Sequence, residues 1–193
     1  MENALRPPKI DASLSRALLG PPALLEGEDE TAYHALSEAV FNAVKPKDLV
    51  EEILIGDAVY YIWEVQRLRR IKASFLNSNT HHGLEAVMNQ LMPDDGSGEL
   101  VDCWSLREPV AIAKVNELLK IAGLTMEDVK ARTYAEFLDT IERMNESIVA
   151  AEIRREYAFH EIERRQISFA EKLRRATTQI ENAQAAVIVE ASE

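Results

Sequence analysis

The sequence predicts an all-α protein, a helical hairpin or bundle carrying one long C-terminal helix that is partly coiled-coil-like. Three observations carry that expectation. The last proline is Pro109 and the last glycine Gly123, so residues 124–193 contain neither of the residues that punctuate turns. Upstream, apolar residues recur at steps of three and four rather than two. Beyond Thr133 this spacing continues for more than fifty residues without a break.

Taken in order, residues 1–27 hold Pro7-Pro8, Gly20, Pro21-Pro22 and Gly27 with no sustained period. They read as an irregular arm with a short turn of helix around Ser13–Leu19. Glu28-Asp29-Glu30 supplies the acidic first turn that a helix dipole favours, and Tyr33, Leu36, Val40 and Val44 give the helix its stripe. Pro46 closes it and also suits the first turn of the next helix, which runs from Lys47 to about Asn77. Leu54, Ala58, Tyr61, Ile62, Val65, Leu68 and Phe75 trace one face there, widened by Val59, Tyr60 and Trp63 as in a helix buried on several sides.

Asn77 to His82 reads as a polar break and Gly83–Met92 as a short helix. Pro93-Asp94-Asp95-Gly96-Ser97-Gly98 is the strongest loop signal. The next helix opens at Glu108-Pro109 and ends at the C-cap candidate Gly123. Thr125 with Asp128 has capping-box spacing. Thr133, with Glu136 three residues on, is the N-cap candidate of the long helix. The resulting organisation is an arm (1–27), a helical bundle region (28–131), the long helix (132–187) and a tail (188–193).

The long helix carries a stripe through Phe137, Ile141, Met144, Ile148, Ala151, Arg155, Ala158, Ile162, Arg165, Phe169, Leu173, Ala176, Ile180, Ala183 and Val187. The steps alternate four and three with one stutter, near the coiled-coil period. From Tyr134 to about Ala185 it would measure roughly 75–80 Å at about 1.5 Å per residue. A compact chain of this size is only about 40 Å across. The helix must therefore break, or leave its domain and cover its stripe against a partner. The expected arrangement is self-association through Phe137, Ile141, Met144, Ile148, Ile162, Phe169, Leu173 and Ile180, with antiparallel packing onto the chain's own 47–77 helix over part of the length.

Composition narrows the options. Hydrophobic residues at 47 % and charged ones at 28 % fit a folded chain and not a disordered one. A single cysteine, Cys103, excludes an internal disulfide framework and a multi-thiolate zinc site. No apolar run approaches the roughly 18 residues of a membrane span, and no signal peptide opens the chain, so a cytoplasmic location without membrane association is expected. The net charge of −11 opposes sequence-independent nucleic-acid binding.

Candidate chemistry is thin. Glu156, His160 and Glu163 share a helix face at spacings that suit a metal, but the similar pairs Glu30–His34 and His82–Glu85 each match only one of the two steps. A solvated charged face is preferred. His81-His82 with Asp102-Cys103-Trp104 would make a Cys/His pair only if the fold joined them. No phosphate loop, HExxH helix or Gly-x-Ser-x-Gly elbow is present. No cofactor, metal or catalytic set is therefore expected. Arg154-Arg155, Arg164-Arg165 and Arg174-Arg175 recur every ten residues and, with Arg67, Arg69 and Arg70, could follow a phosphate backbone. Between Glu152 and Arg175, however, seven basic residues are offset by five acidic ones, and flank charges of a coiled coil are the preferred account.

Four segments carry a resemblance: Leu25-Glu26-Gly27-Glu28-Asp29-Glu30-Thr31-Ala32-Tyr33; Trp63-Glu64-Val65-Gln66-Arg67-Leu68-Arg69-Arg70; Gly123-Leu124-Thr125-Met126-Glu127-Asp128; and Ile141-Glu142-Arg143-Met144 with Arg154-Arg155 and Glu161-Ile162-Glu163-Arg164-Arg165. Over about residues 25–180 the chain resembles a family of uncharacterised all-helical alphaproteobacterial proteins. Many of its members open with a basic Gly/Pro/Thr/Lys/Arg-rich segment. Here the corresponding stretch, Ser13 to Leu25, has Arg16 as its only charge. The resemblance implies a helical fold and a bacterial source, and supplies no activity. The expected function is a non-enzymatic helical interaction or scaffold protein, partnered by itself or by another helical protein. The alternative is a DNA-associated accessory protein of a mobile element or chromosome.

Overall fold

A computed structural model of the chain describes residues 20–92 and 96–190, without the side chains of 180–190. The 13–19 turn, the start of the 93–98 loop and the last three residues of the tail lie outside the described residues. All regular structure within them is helical: α1 (Glu30–Val44), α2 (Leu49–Ser78), α3 (Thr80–Leu91), α4 (Ser97–Ser105), α5 (Pro109–Ile121), α6 (Met126–Glu136) and α7 (Leu138–Glu190). The protein is all-α with a long C-terminal helix. At 53 residues, α7 is about 80 Å long.

The chain forms two compact units, one of residues 1–64 with 151–193 and one of residues 65–150. In the first, α1, the start of α2 and the later part of α7 enclose Ile55, Val59 and Ile162, with Tyr33, Leu36, Val40, Phe41 and Phe159 packed around them. Asp29 caps α1, its carboxylate accepting from the Ala32 N–H at 3.1 Å. Lys45, in the left-handed region at φ 53°, ends that helix. Pro46 sits in the connection rather than in the first turn of α2. Asp48 takes the capping role instead, accepting from the Glu51 N–H at 2.9 Å while Glu51 accepts from the Lys47 N–H at 3.0 Å. These bonds satisfy amides that a helix start leaves open. The Glu51 amide, assisted by Arg165, holds the Asp48 carboxyl below its ordinary pKa against the opposing effect of burial.

In the second unit Leu84, Val87 and Met88 of α3 meet Leu100 and Val101 of α4, Ala111, Val115 and Leu119 of α5, and Val129 of α6. α3 and α6 approach most closely at Gly83, where an added Cβ would run into the Thr133 hydroxyl and the Val129 carbonyl and lie 2.6 Å from the Thr133 nitrogen. Phe75 and His82 both meet the Phe137 ring edge-on at 5.4 Å. Lys72 donates to Asn145 at 2.7 Å. Within the first unit Asp48 meets Arg165 and Ile55 meets Ile162, and within the second Lys72 meets Asn145 and Phe75 meets Phe137, so in each unit α2 and α7 run antiparallel.

Three local expectations are corrected. The polar break at 77–82 shrinks to Asn79, because its amide and the Thr80 hydroxyl donate to the Phe75 and Leu76 carbonyls at 2.8 and 2.9 Å, meeting the needs of the helix end locally. Ser97 and Gly98, expected to lie in the loop, open α4, a helix at 97–105 for which no element was expected. Thr133 caps nothing: it lies inside α6, 1 % exposed, and its hydroxyl donates to the Val129 carbonyl at 3.0 Å. The long helix starts a turn later, after Phe137. At Thr125 the capping box forms as expected, with both the Thr125 N–H and hydroxyl donating to Asp128 at 2.8 Å and depressing its pKa.

Candidate interaction surface

The eight seam residues divide by what covers them. Ile141 and Ile148 are buried in the second unit, and Phe137 and Met144 are half-buried there. Ile162 is buried in the first, against Ile55 and Val59. Those five face the chain's own helices. Phe169 and Leu173 remain open at 49 % and 58 % exposure. The side chain of Ile180 lies outside the described residues.

The change from covered to open has a local cause. α1 ends at Val44, whose carbonyl accepts from the Gln166 amide at 3.2 Å. Just beyond, Lys47 Nζ sits 4.7 Å from the centre of the Phe169 ring. From Phe169 to Gln179 every residue is exposed. The helix backbone continues to Glu190, and the sequence keeps its apolar spacing over that stretch. Ile153 and Tyr157, exposed at 63 % and 71 %, and Ile167, at 55 %, mark a second apolar line on the far side of α7 that the sequence reading missed. Its signal, a step of four and then ten interrupted by His160 and Arg164, was masked by the stronger inward stripe.

Of the candidate arginines, Arg67, Arg69 and Arg70 belong to the unit of residues 65–150, and the rest to the other. Arg67 is buried at 8 % exposure. Arg155 donates to Glu156 at 2.7 Å, Arg164 to Glu161 at 2.6 Å and Arg165 to Asp48 at 2.9 Å. The Arg164 contact pulls the Glu161 pKa down and pushes its own up. Arg154, Arg174 and Arg175 are exposed. Guanidiniums committed to carboxylates offer less positive charge to a phosphate backbone.

The His160 and Glu163 side chains stand 3.9 Å apart at the surface, while Glu156 is held by Arg155. Among the described residues no group of three or more His, Cys, Asp or Glu could hold a metal ion. His81 and His82 lie against each other, with ring centres 4.1 Å apart. Cys103 sits on α4, packed against the core of its unit. Desolvation, and then the hydrogen bond and charge of Glu108, raise its thiol pKa, the reverse of what a thiolate nucleophile requires. We expect alkylation of Cys103 at neutral pH to be slower than that of a free thiol. Its rate should still be rising with pH past the ordinary thiol pKa of about 8.5, where that of a free thiol levels off. A rate plateau below that pH, followed by mass spectrometry, would show an activated thiol instead.

A shallow groove of about 440 Å³ lies between Leu76, Thr80, Ala131 and Tyr134. Its charged groups, Glu127 and Lys130, are paired with each other at 2.8 Å. Among the described residues, no helix is long and apolar enough to cross a membrane.

Among the described residues the protein is all-helical, and its long C-terminal helix is exposed at every residue from Phe169 to Gln179. No protein-family model, curated protein or solved structure matches the chain.

Proposed function

We propose that this is a non-enzymatic helical interaction protein that self-associates through the C-terminal part of α7. One observation carries the reading: the apolar stripe continues in register beyond Ile162, while every residue from Phe169 to Gln179 is exposed. An uncovered helix of this length has little support of its own in water, since most helical stability comes from packing an apolar face. Its stripe holds only Phe169, Leu173, Ile180 and Val187 beside Ala176 and Ala183, so the association is of modest strength. Leu173→Glu places a charge in the seam at a site that the chain itself leaves open. Sedimentation velocity over a dilution series should show a concentration-dependent oligomer for the wild type and a monomer for this variant. The thermal unfolding of the diluted proteins should differ by no more than about 0.5 kcal/mol, as for other surface changes. A wild type that stays monomeric at tens of micromolar, or a variant that assembles equally well, overturns the reading.

A further inference from the structure

We propose that residues 169–179 of α7 dock, in a second copy of the chain, on the exposed face of α2 along Val50, Ile53, Asp57 and Tyr60. The inference rests on the reading of α7 as a self-association helix and names the surface that receives it.

Both surfaces belong to the unit of residues 1–64 with 151–193. On the docking side, Phe169, Leu173 and Ala176 are all exposed and fall within about 60° of one another around α7, at about 100° per residue. Lys172, Arg174 and Arg175 stand beside them against Glu171, three basic minus one acidic, so residues 169–179 carry a net of +2. The Lys47 ammonium, 4.7 Å from the centre of the Phe169 ring, adds to that charge.

On the receiving side, α2 buries Ile55, Ala58 and Val59 within its own unit. Across the helix from them, Val50, Ile53 and Tyr60 remain 46 %, 38 % and 36 % exposed. Their steps of three and seven keep them within about 80° of one another, with the exposed Asp57 between them. From Leu49 to Glu64 the helix holds Glu51, Glu52, Asp57 and Glu64 and no basic residue, a formal net of −4. Other exposed isoleucines lack this setting: Ile71 lies between Arg70 and Lys72, Ile121 follows Lys120 and Ile153 precedes Arg154.

Size and charge therefore match. Val50 to Tyr60 spans about 15 Å along its axis and Phe169 to Ala176 about 11 Å. Docking sets a basic apolar stripe on an acidic apolar one, whereas laying residues 169–179 of two copies together sets basic against basic. The contact joins two different surfaces, so each copy can give one helix end and receive another.

The test uses the full chain in sedimentation velocity, with one variant for each surface: Leu173→Glu for the docking side and Ile53→Lys for the receiving side. Circular dichroism checks that both stay folded, and Asp57→Lys, a change of charge at an exposed position, replaces Ile53→Lys if that variant does not. Either variant alone should assemble about tenfold or more less tightly than the wild type, because each leaves a charge in an apolar contact. An equimolar mixture should recover a 1:1 heterodimer, since one variant keeps an intact α7 and the other an intact α2 face. A receiving-side variant that assembles like the wild type would show that α7 pairs elsewhere, overturning this inference while leaving self-association intact. Two weakened variants that stay monomeric when mixed would overturn it as well. A monomeric wild type removes the underlying reading, and this inference with it.

Discussion

Ile162→Ala is expected to lower unfolding stability by about 3 kcal/mol, the usual cost of truncating a buried isoleucine and leaving the cavity. The loss should be the same at every protein concentration. Ile162 is 5 % exposed and lies against Ile55 and Val59 of its own chain, so its burial needs no second copy. Were it part of an intermolecular seam, the loss would follow the protein concentration by mass action and disappear on dilution. Urea unfolding followed by circular dichroism at two concentrations a hundredfold apart separates the cases. A loss under about 1 kcal/mol, or one seen only in the concentrated sample, would place Ile162 outside the core described here. With Leu173→Glu the experiment forms a contrast, since two residues of one stripe should act on different equilibria.

Gly83→Ala should destabilise the unit of residues 65–150 even though alanine is the better helix former. In an exposed helix interior the exchange would gain about 1 kcal/mol. Here the added Cβ meets the Thr133 hydroxyl, the Val129 carbonyl and, at 2.6 Å, the Thr133 nitrogen. A hydroxyl can rotate away, but the two backbone atoms move only if α6 moves. Overpacking of that kind costs typically 1–3 kcal/mol and sometimes more, and with backbone on two sides the upper end applies, leaving a net loss of about 2 kcal/mol. Adding Thr133→Ala relieves only one of the three contacts and also removes the hydroxyl bond to Val129, so rescue should be partial at best. A Gly83→Ala protein as stable as the wild type would show that α3 and α6 have room between them.

The fold class was legible because its signals are local. Asp29 ahead of α1, Thr125 with Asp128 at α6 and Pro109 at the start of α5 mark helix starts by chemistry acting within one turn, and each does so in the structure. α4 was not legible. It has nine residues, too few to show a period, with Gly96 and Gly98 at its start, and it ends before Arg107, a left-handed residue at φ 65° without the glycine that usually marks one. Thr133 was misread for a related reason: a threonine three residues before a glutamate looks like a cap, and only the proximity of α3 shows it buried within a helix.

What the sequence determined by itself was periodicity, and with it an all-helical chain, a long C-terminal helix and the face on which its apolar stripe lies. What tertiary structure alone decided was the occupant of each part of that stripe. Ile141, Ile148, Ile162, Phe169 and Leu173 share one spacing pattern, yet the first three are buried and the last two open. The difference lies in where another element stops, α1 at Val44 beside Gln166. Helical spacing is set between residues a few positions apart. Burial depends on residues far away in the sequence, 73 positions from Asn145 to Lys72 and 122 from Gln166 to Val44, and no pattern within the helix records where they end.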